Sequence, residues 1–199
     1  LSDQIANGNL GASLQIRYVL KEIGHHFFYL CGPINDEENH KKIIHCARAA
    51  WVKRYLRNRK IATIGGKCMM MYQTQVNEYS WKKTFGVDFP QYDTVQVFKE
   101  MESVDDEEVK NIEKEFLSSI DEVHWEAGED KMESDAITSQ VKMFLAFKRL
   151  KKLYDIDIFA NKCMPEMSAI PYGYGYCGCL ATCMLNEAGI MTACEADVP

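Results

Sequence analysis

Ile61-Ala62-Thr63-Ile64-Gly65-Gly66-Lys67-Cys68 is the stretch on which the fold turns. Four residues rich in β-branched side chains run into a glycine pair, the pattern of a short buried strand ending in a tight turn. Upstream, Ile43, Ile44, Ala47, Ala50, Trp51 and Tyr55 recur at helical spacing. Asp36 or Asn39 is placed to start that helix and Asn58 to Lys60 to close it. Downstream, Trp81 and Phe85 lie on another helix, and a short strand is expected at Thr94 to Phe98 after the turn Pro90-Gln91-Tyr92-Asp93. Buried strands alternating with helices argue for a parallel sheet covered on both faces.

The pattern extends in both directions. Asn9 is placed to cap a helix with Leu10, Leu14, Ile16, Val19, Leu20 and Ile23 on one side and Gly24 at its end. His26 to Cys31 then reads as a buried strand broken by Gly32-Pro33. Beyond Met101, Val109, Ile112, Phe116, Ile120 and Val123 form one helical stripe, and Ile137, Val141, Phe144, Leu145, Leu150 and Leu153 a second. With Gly128-Glu129-Asp130 between them, they predict an antiparallel helix pair. After Tyr154 come a strand at Asp157 to Cys163, a Gly/Tyr loop at Tyr172 to Gly178, a helix at Cys179 to Asn186 and a strand at Ile190 to Glu195. The expected organisation is a Rossmann-like or flavodoxin-like α/β domain over 1–103, a helical connection over 104–154, and the start of a second, metal-binding α/β domain over 155–199.

Composition narrows the class. The 199 residues are 47% apolar and 26% charged, which excludes a disordered or collagen-like chain. The densest apolar run, Phe27 to Cys31, is far too short to cross a membrane. The net charge of −6 is uneven: Glu100 to Asp135 holds 15 acidic and three basic residues, whereas Lys41 to Lys60 holds eight basic and no acidic ones. The basic stretch reads as the solvated face of an amphipathic helix, with pairing to the acidic segment as the second option, and nucleic acid is disfavoured at this charge. The eight cysteines sit mostly in apolar runs without a secretory leader, which points to reduced thiols in the cytoplasm. A first residue Leu1 and an abrupt end at Pro199 suggest a piece of a longer enzyme.

In open α/β sheets, ligands bind beyond the carboxyl ends of the strands. Lys162-Cys163-Met164-Pro165-Glu166 and Cys194-Glu195-Ala196-Asp197 occupy two such ends. Glu166 and Asp197 are the candidate catalytic and metal-ligating carboxylates, with Glu195 as the fallback for the second, because a divalent cation takes hard oxygen donors. The group Cys177-x-Cys179-x-x-x-Cys183, with Cys163 or Cys194, is a lesser candidate for zinc or an iron–sulfur unit, its spacing matching paired Cys motifs poorly. The turns Gly8-Asn9-Leu10-Gly11 and Gly65-Gly66 match no nucleotide-binding fingerprint.

Lys162-Cys163-Met164-Pro165-Glu166, the run from Cys179 to Ile190, and Cys194-Glu195-Ala196-Asp197-Val198 resemble the L-fucose/L-arabinose isomerase-like family, in its fucose-isomerase-like branch. Gly65 to Tyr72, Phe85-Gly86-Val87-Asp88 and Tyr92-Asp93 are similar to it as well. The resemblance implies an oligomeric aldose–ketose isomerase of three α/β domains, of which this chain holds the middle one and the start of the catalytic one. It implies a divalent metal, usually Mn²⁺, bound by two carboxylates and a later His. Proton transfer between C1 and C2 of a monosaccharide then passes through an enediolate. Glu166 and Asp197 take the carboxylate positions, and none of the five histidines follows Asp197. The alternative function is a non-catalytic α/β module that binds a small ligand or assembles with its own copies.

Overall fold

The structure is a computed structural model describing residues 2–33, 35–122, 135–168, 175 and 177–198. It divides into two compact units, Leu1–Trp51 and Val52–Pro199. The first contains α1 (Ser2–Glu22) and most of α2 (Glu37–Leu56). Asp36 caps α2: its Oδ1 accepts from the N–H groups of Glu38 and Asn39 at 2.9 and 3.3 Å. α1 starts well before Asn9, which therefore lies inside the helix and does not cap it. The buried strand expected at His26 to Cys31 does not form; residues 25–31 have no regular structure and Phe28 is 83% exposed. An apolar run becomes a strand only where a ladder takes its N–H and C=O groups, and no strand among the described residues pairs with this run.

The second unit is built on a four-stranded parallel sheet of order β2-β1-β3-β4, with β1 Ile61–Ile64, β2 Gln91–Tyr92, β3 Ile158–Asn161 and β4 Thr192–Ala193. The β1–β3 register pairs Ile61 with Ile158 and Ile64 with Asn161. Side chains alternate across the sheet, as strand geometry requires. Ala62, Ile64 and Phe159 enter a large core with Val97, Met101, Val141, Phe147 and Leu185, whereas Ile61 and Ala160 pack with Val87, Phe89 and Val198 on the other face. Both faces are thus covered, by α3 (Glu78–Phe85) on one side and by α4 (Thr94–Glu102), α5 (Asp106–Ser118), α6 (Asp135–Tyr154) and α7 (Cys179–Glu187) on the other.

Two expectations are corrected here. Thr94 to Phe98 is the start of α4 and the strand lies just before it, at Gln91–Tyr92. Val95-Gln96-Val97-Phe98 alternates like a strand, but Asp93 N donates to Gln96 Oε1 at 3.0 Å, a helix-starting bond, and Thr94, Val97 and Met101 bury one helical stripe. Nor do residues 155–199 open a separate domain: β3 and β4 extend the sheet begun by β1 and β2. Of the segment 104–154, α5 and α6 are correspondingly part of the sheet's covering. Its helices are antiparallel, since Lys142 pairs with Asp106 at 3.1 Å and Thr138 Oγ1 donates to Glu113 Oε2 at 3.1 Å. Val123 and Gly128-Glu129-Asp130 lie outside the described residues.

α6 is the central helix. Its Gln140, Val141, Met143, Phe144, Leu145, Ala146, Phe147 and Leu150 are all buried, more than one stripe accounts for, because α4, α5 and α7 all pack against it. The acidic segment is explained locally at α5: Asp105 Oδ1 accepts from Glu107 and Glu108 N–H, and the acids of the first turn sit where the helix dipole favours them. Among the described ion pairs, Arg59 and Lys60 engage Asp157 and Asp155, so these two cations serve the approach to β3, not the acidic segment. No helix among the described residues is long and apolar enough to cross a membrane.

A candidate functional site at the carboxyl ends of the strands

The winding direction reverses between β1 and β3: β2 is added on one side of β1, and β3 and β4 on the other. At such a reversal the loops leaving neighbouring strands diverge and open a crevice. Three loops meet there, after β1 (Gly65 to Cys68), after β3 (Lys162 to Glu166) and after β4 (Cys194 to Val198).

Specific bonds hold the three together. Lys162 N donates to Ile64 O at 3.0 Å, and Ala196 N to Asn161 O at 3.0 Å. Val198 N reaches Thr74 O at 3.2 Å, which fixes the tail across the loop that follows β1. Gly65 has φ +79°, and a Cβ there would lie 2.7 Å from Thr94 Oγ1 and 3.3 Å from Lys162 Cβ, so only glycine lets the loops close. Glu195 and Ala196 themselves hold φ values of 58° and 52°, an uncommon left-handed pair that aims the Glu195 side chain back over the strand ends.

Glu166 is anchored on one side only. Lys162 Nζ, itself largely buried, donates to Glu166 Oε1 at 2.6 Å, while Glu166 Oε2 is buried without a hydrogen-bond partner. Asn161 Oδ1, at the end of β3, is buried and unpartnered as well. Unsatisfied acceptors of this kind are costly, about 1–3 kcal/mol each, and mark places where a donor or cation belongs. Asp197 is exposed in the loop after β4, on the strand next to the one that carries Glu166.

The sulfurs are the part that sequence reasoning underweighted. Cys163, Cys194 and Glu195 offer ligand atoms that all lie within 4.8 Å of one another. Cys68 is fully buried; its Sγ donates to Glu195 Oε2 and lies 3.3 Å from Met164 O. Cys194 Sγ is 3.9 Å from Glu195 Oε1. Cys177 lies close to Cys163, so one thiol of the Cys177-x-Cys179-x-x-x-Cys183 run borders the group, whereas Cys179 and Cys183 are exposed. The available signal was positional: Cys68, Cys163 and Cys194 each lie within four residues of a strand's carboxyl end.

Burial, with Cys177 and Cys194 close by, pushes the Cys163 thiol up to about 12. Burial, together with the hydrogen bond to Glu195, pushes Cys68 up to about 11. Since the thiolate is the nucleophile, each unit of upward shift removes tenfold of the reactive form. In the metal-free chain at pH 8, iodoacetamide is therefore expected to label Cys68 about 100-fold more slowly than an ordinary cysteine, from the shift above the usual 9.0, and Cys163 more slowly than Cys183. Residue-resolved mass spectrometry over time checks this, and equal rates at Cys68, Cys163 and the exposed Cys183 contradict it.

A shallow groove of about 460 Å³ lies elsewhere, between α5, α6 and α7, lined by Ile112, Phe116, Phe144, Lys148, Met184 and Glu187. None of the strand-end residues borders it. No family model matches the chain, and no curated protein matches it.

Proposed function

We propose that this chain belongs to a metal-dependent aldose–ketose isomerase similar to the fucose-isomerase-like branch, with Glu166 and Asp197 as its carboxylates. The observation that carries this is Glu166 Oε2, a buried carboxylate oxygen without a partner at the carboxyl end of a parallel strand. The strand order 2-1-3-4 supports the doubly wound reading, since it matches the opening of the flavodoxin-like order, in which ligands bind where the winding reverses.

The donors fit a hard divalent cation. Glu166 Oε2 is unclaimed and Asp197 is exposed beside it in strand order, whereas both oxygens of Glu195 are turned to thiols, which favours Asp197 as the second ligand. A bound Mn²⁺ supplies charge stabilisation where a sugar's two oxygens become negative. Glu166, with Oε1 held by Lys162, also has the carboxylate chemistry to move a proton between neighbouring sugar carbons, a role worth about 10²–10⁴-fold.

The partners on this reading are a monosaccharide and further copies of the chain, the latter supported by Ile43 and Ile44, 53% and 49% exposed on α2. Eight free thiols favour a reducing compartment, the cytoplasm. Calorimetric titration with Mn²⁺ tests the site: Glu166→Gln is expected to weaken uptake at least about tenfold, by analogy with the loss of groups that support a metal. Absence of Mn²⁺ binding to the parent chain, or unchanged uptake by Glu166→Gln, refutes the assignment.

A further inference from the structure

The oxygens of Glu166 and Asp197 leave the sulfur side of the strand-end crevice unused. We propose that Cys163, Cys194 and Glu195 form a second, separate site for a thiolate-seeking divalent cation, Zn²⁺ foremost, with two sulfurs and one carboxylate oxygen as ligands and a fourth position open.

Geometry is the first ground. Tetrahedral zinc, with Zn–S near 2.3 Å and Zn–O near 2.0–2.2 Å, sets sulfur–sulfur edges of about 3.8 Å and sulfur–oxygen edges of about 3.6 Å. Cys194 Sγ and Glu195 Oε1 already stand 3.9 Å apart, and all three ligand atoms fall within 4.8 Å of one another. This is the only such group of three or more His, Cys, Asp or Glu ligand atoms among the described residues.

The surroundings are the second ground. A ligating carboxylate is oriented by a hydrogen bond to its other oxygen. Cys68 does this for Glu195: its thiol holds Oε2 and leaves Oε1 facing Cys194. The left-handed pair Glu195-Ala196 stores backbone strain at the same residue, as ligand-holding turns do. Cys163 is 3% exposed at the end of β3, whereas Cys194 is open to solvent, so the site has an interior wall and an entry path. The donor set selects the ion. Thiolate favours zinc over Mn²⁺ or Mg²⁺, which prefer oxygen, so the two sites sort cations by softness within one crevice. Three protein ligands and an open position are the arrangement of zinc that binds water or a substrate atom.

The test uses the reduced chain, stripped with a chelator and titrated with Co²⁺ as an optical stand-in for zinc. One equivalent is expected to produce sulfur-to-cobalt charge-transfer absorption in the near ultraviolet, abolished by added Zn²⁺. Cys194→Ser, at an exposed position that leaves the core intact, is expected to remove most of the band, and Glu195→Gln to weaken Co²⁺ binding at least about tenfold. Cys183→Ser, at an exposed thiol outside the cluster, leaves the band unchanged. Absence of the band in the reduced parent chain, or its persistence in Cys194→Ser, overturns the proposal. Glu166→Gln separates the two sites: it lowers Mn²⁺ uptake and keeps the cobalt band.

Discussion

Phe159→Ala is expected to destabilise the protein by about 3–5 kcal/mol, the range for deleting a fully enclosed phenyl ring. Phe159 is 0% exposed in the middle of β3, and its ring meets Phe147 of α6 edge-on at 4.9 Å and 79°. The contact therefore joins the central strand to the central helix. Truncation removes apolar burial and leaves a cavity that neither element can fill, because β3 is paired on both sides and α6 is wedged among three other helices. Urea denaturation monitored by circular dichroism measures the loss. Leu153→Ala, at a residue 63% exposed on the same helix, is expected to change stability by less than about 0.5 kcal/mol. Equal effects at the two positions contradict the packing described.

Gly65→Ala carries the second large effect, about 2–5 kcal/mol, from two sources. A left-handed backbone costs an L-residue about 1–2 kcal/mol, and forcing a methyl group into a filled space typically about 1–3. Gly65 has φ +79°, and the new methyl meets Thr94 Oγ1 at 2.7 Å and Lys162 Cβ at 3.3 Å. The disturbance reaches the site through both neighbours. Gly65 N donates to Tyr92 O, which aligns the loop carrying Cys68, while Lys162 holds Glu166. Gly65→Ala is therefore expected to lower the midpoint of unfolding and metal uptake together. Gly66→Ala, with no atom near its Cβ position, isolates the backbone cost alone. Equal destabilisation at the two glycines shows that the close approach of Thr94 and Lys162 is immaterial.

The parts legible in the sequence are those set by local chemistry. The Ile61–Ile64 strand before a glycine pair, the α2 start at Asp36 and the helical stripe of α6 all depend on neighbours within a few residues. Thr94 to Phe98 was illegible because two periods fit the same letters, and a capping bond from Asp93 decides between them. His26 to Cys31 has strand composition but pairs with no strand among the described residues, which no local pattern reveals. At the site, the strand-end placement of Glu166, Glu195 and Asp197 followed from strand positions alone. The meeting of Cys68, Cys163 and Cys194 depends on the order β2-β1-β3-β4, a long-range fact. For the same reason the sheet's continuity across the expected boundary near residue 155 lay beyond local reading.

The bond from Cys68 to Glu195 spans 127 positions of chain, and the one from Cys68 to Met164 spans 96. Such contacts form only after long loops have closed, a cost that grows with the logarithm of loop length and slows folding relative to helical bundles. Helices α5 and α6 pair across far shorter distances and are able to assemble first. The crevice is therefore a late product of folding: its donors are scattered along the unfolded chain and meet only when β3 and β4 dock. Ligand held there stabilises the closed sheet by mass action, which makes a strand-end ligand a reporter of folding as well as of chemistry.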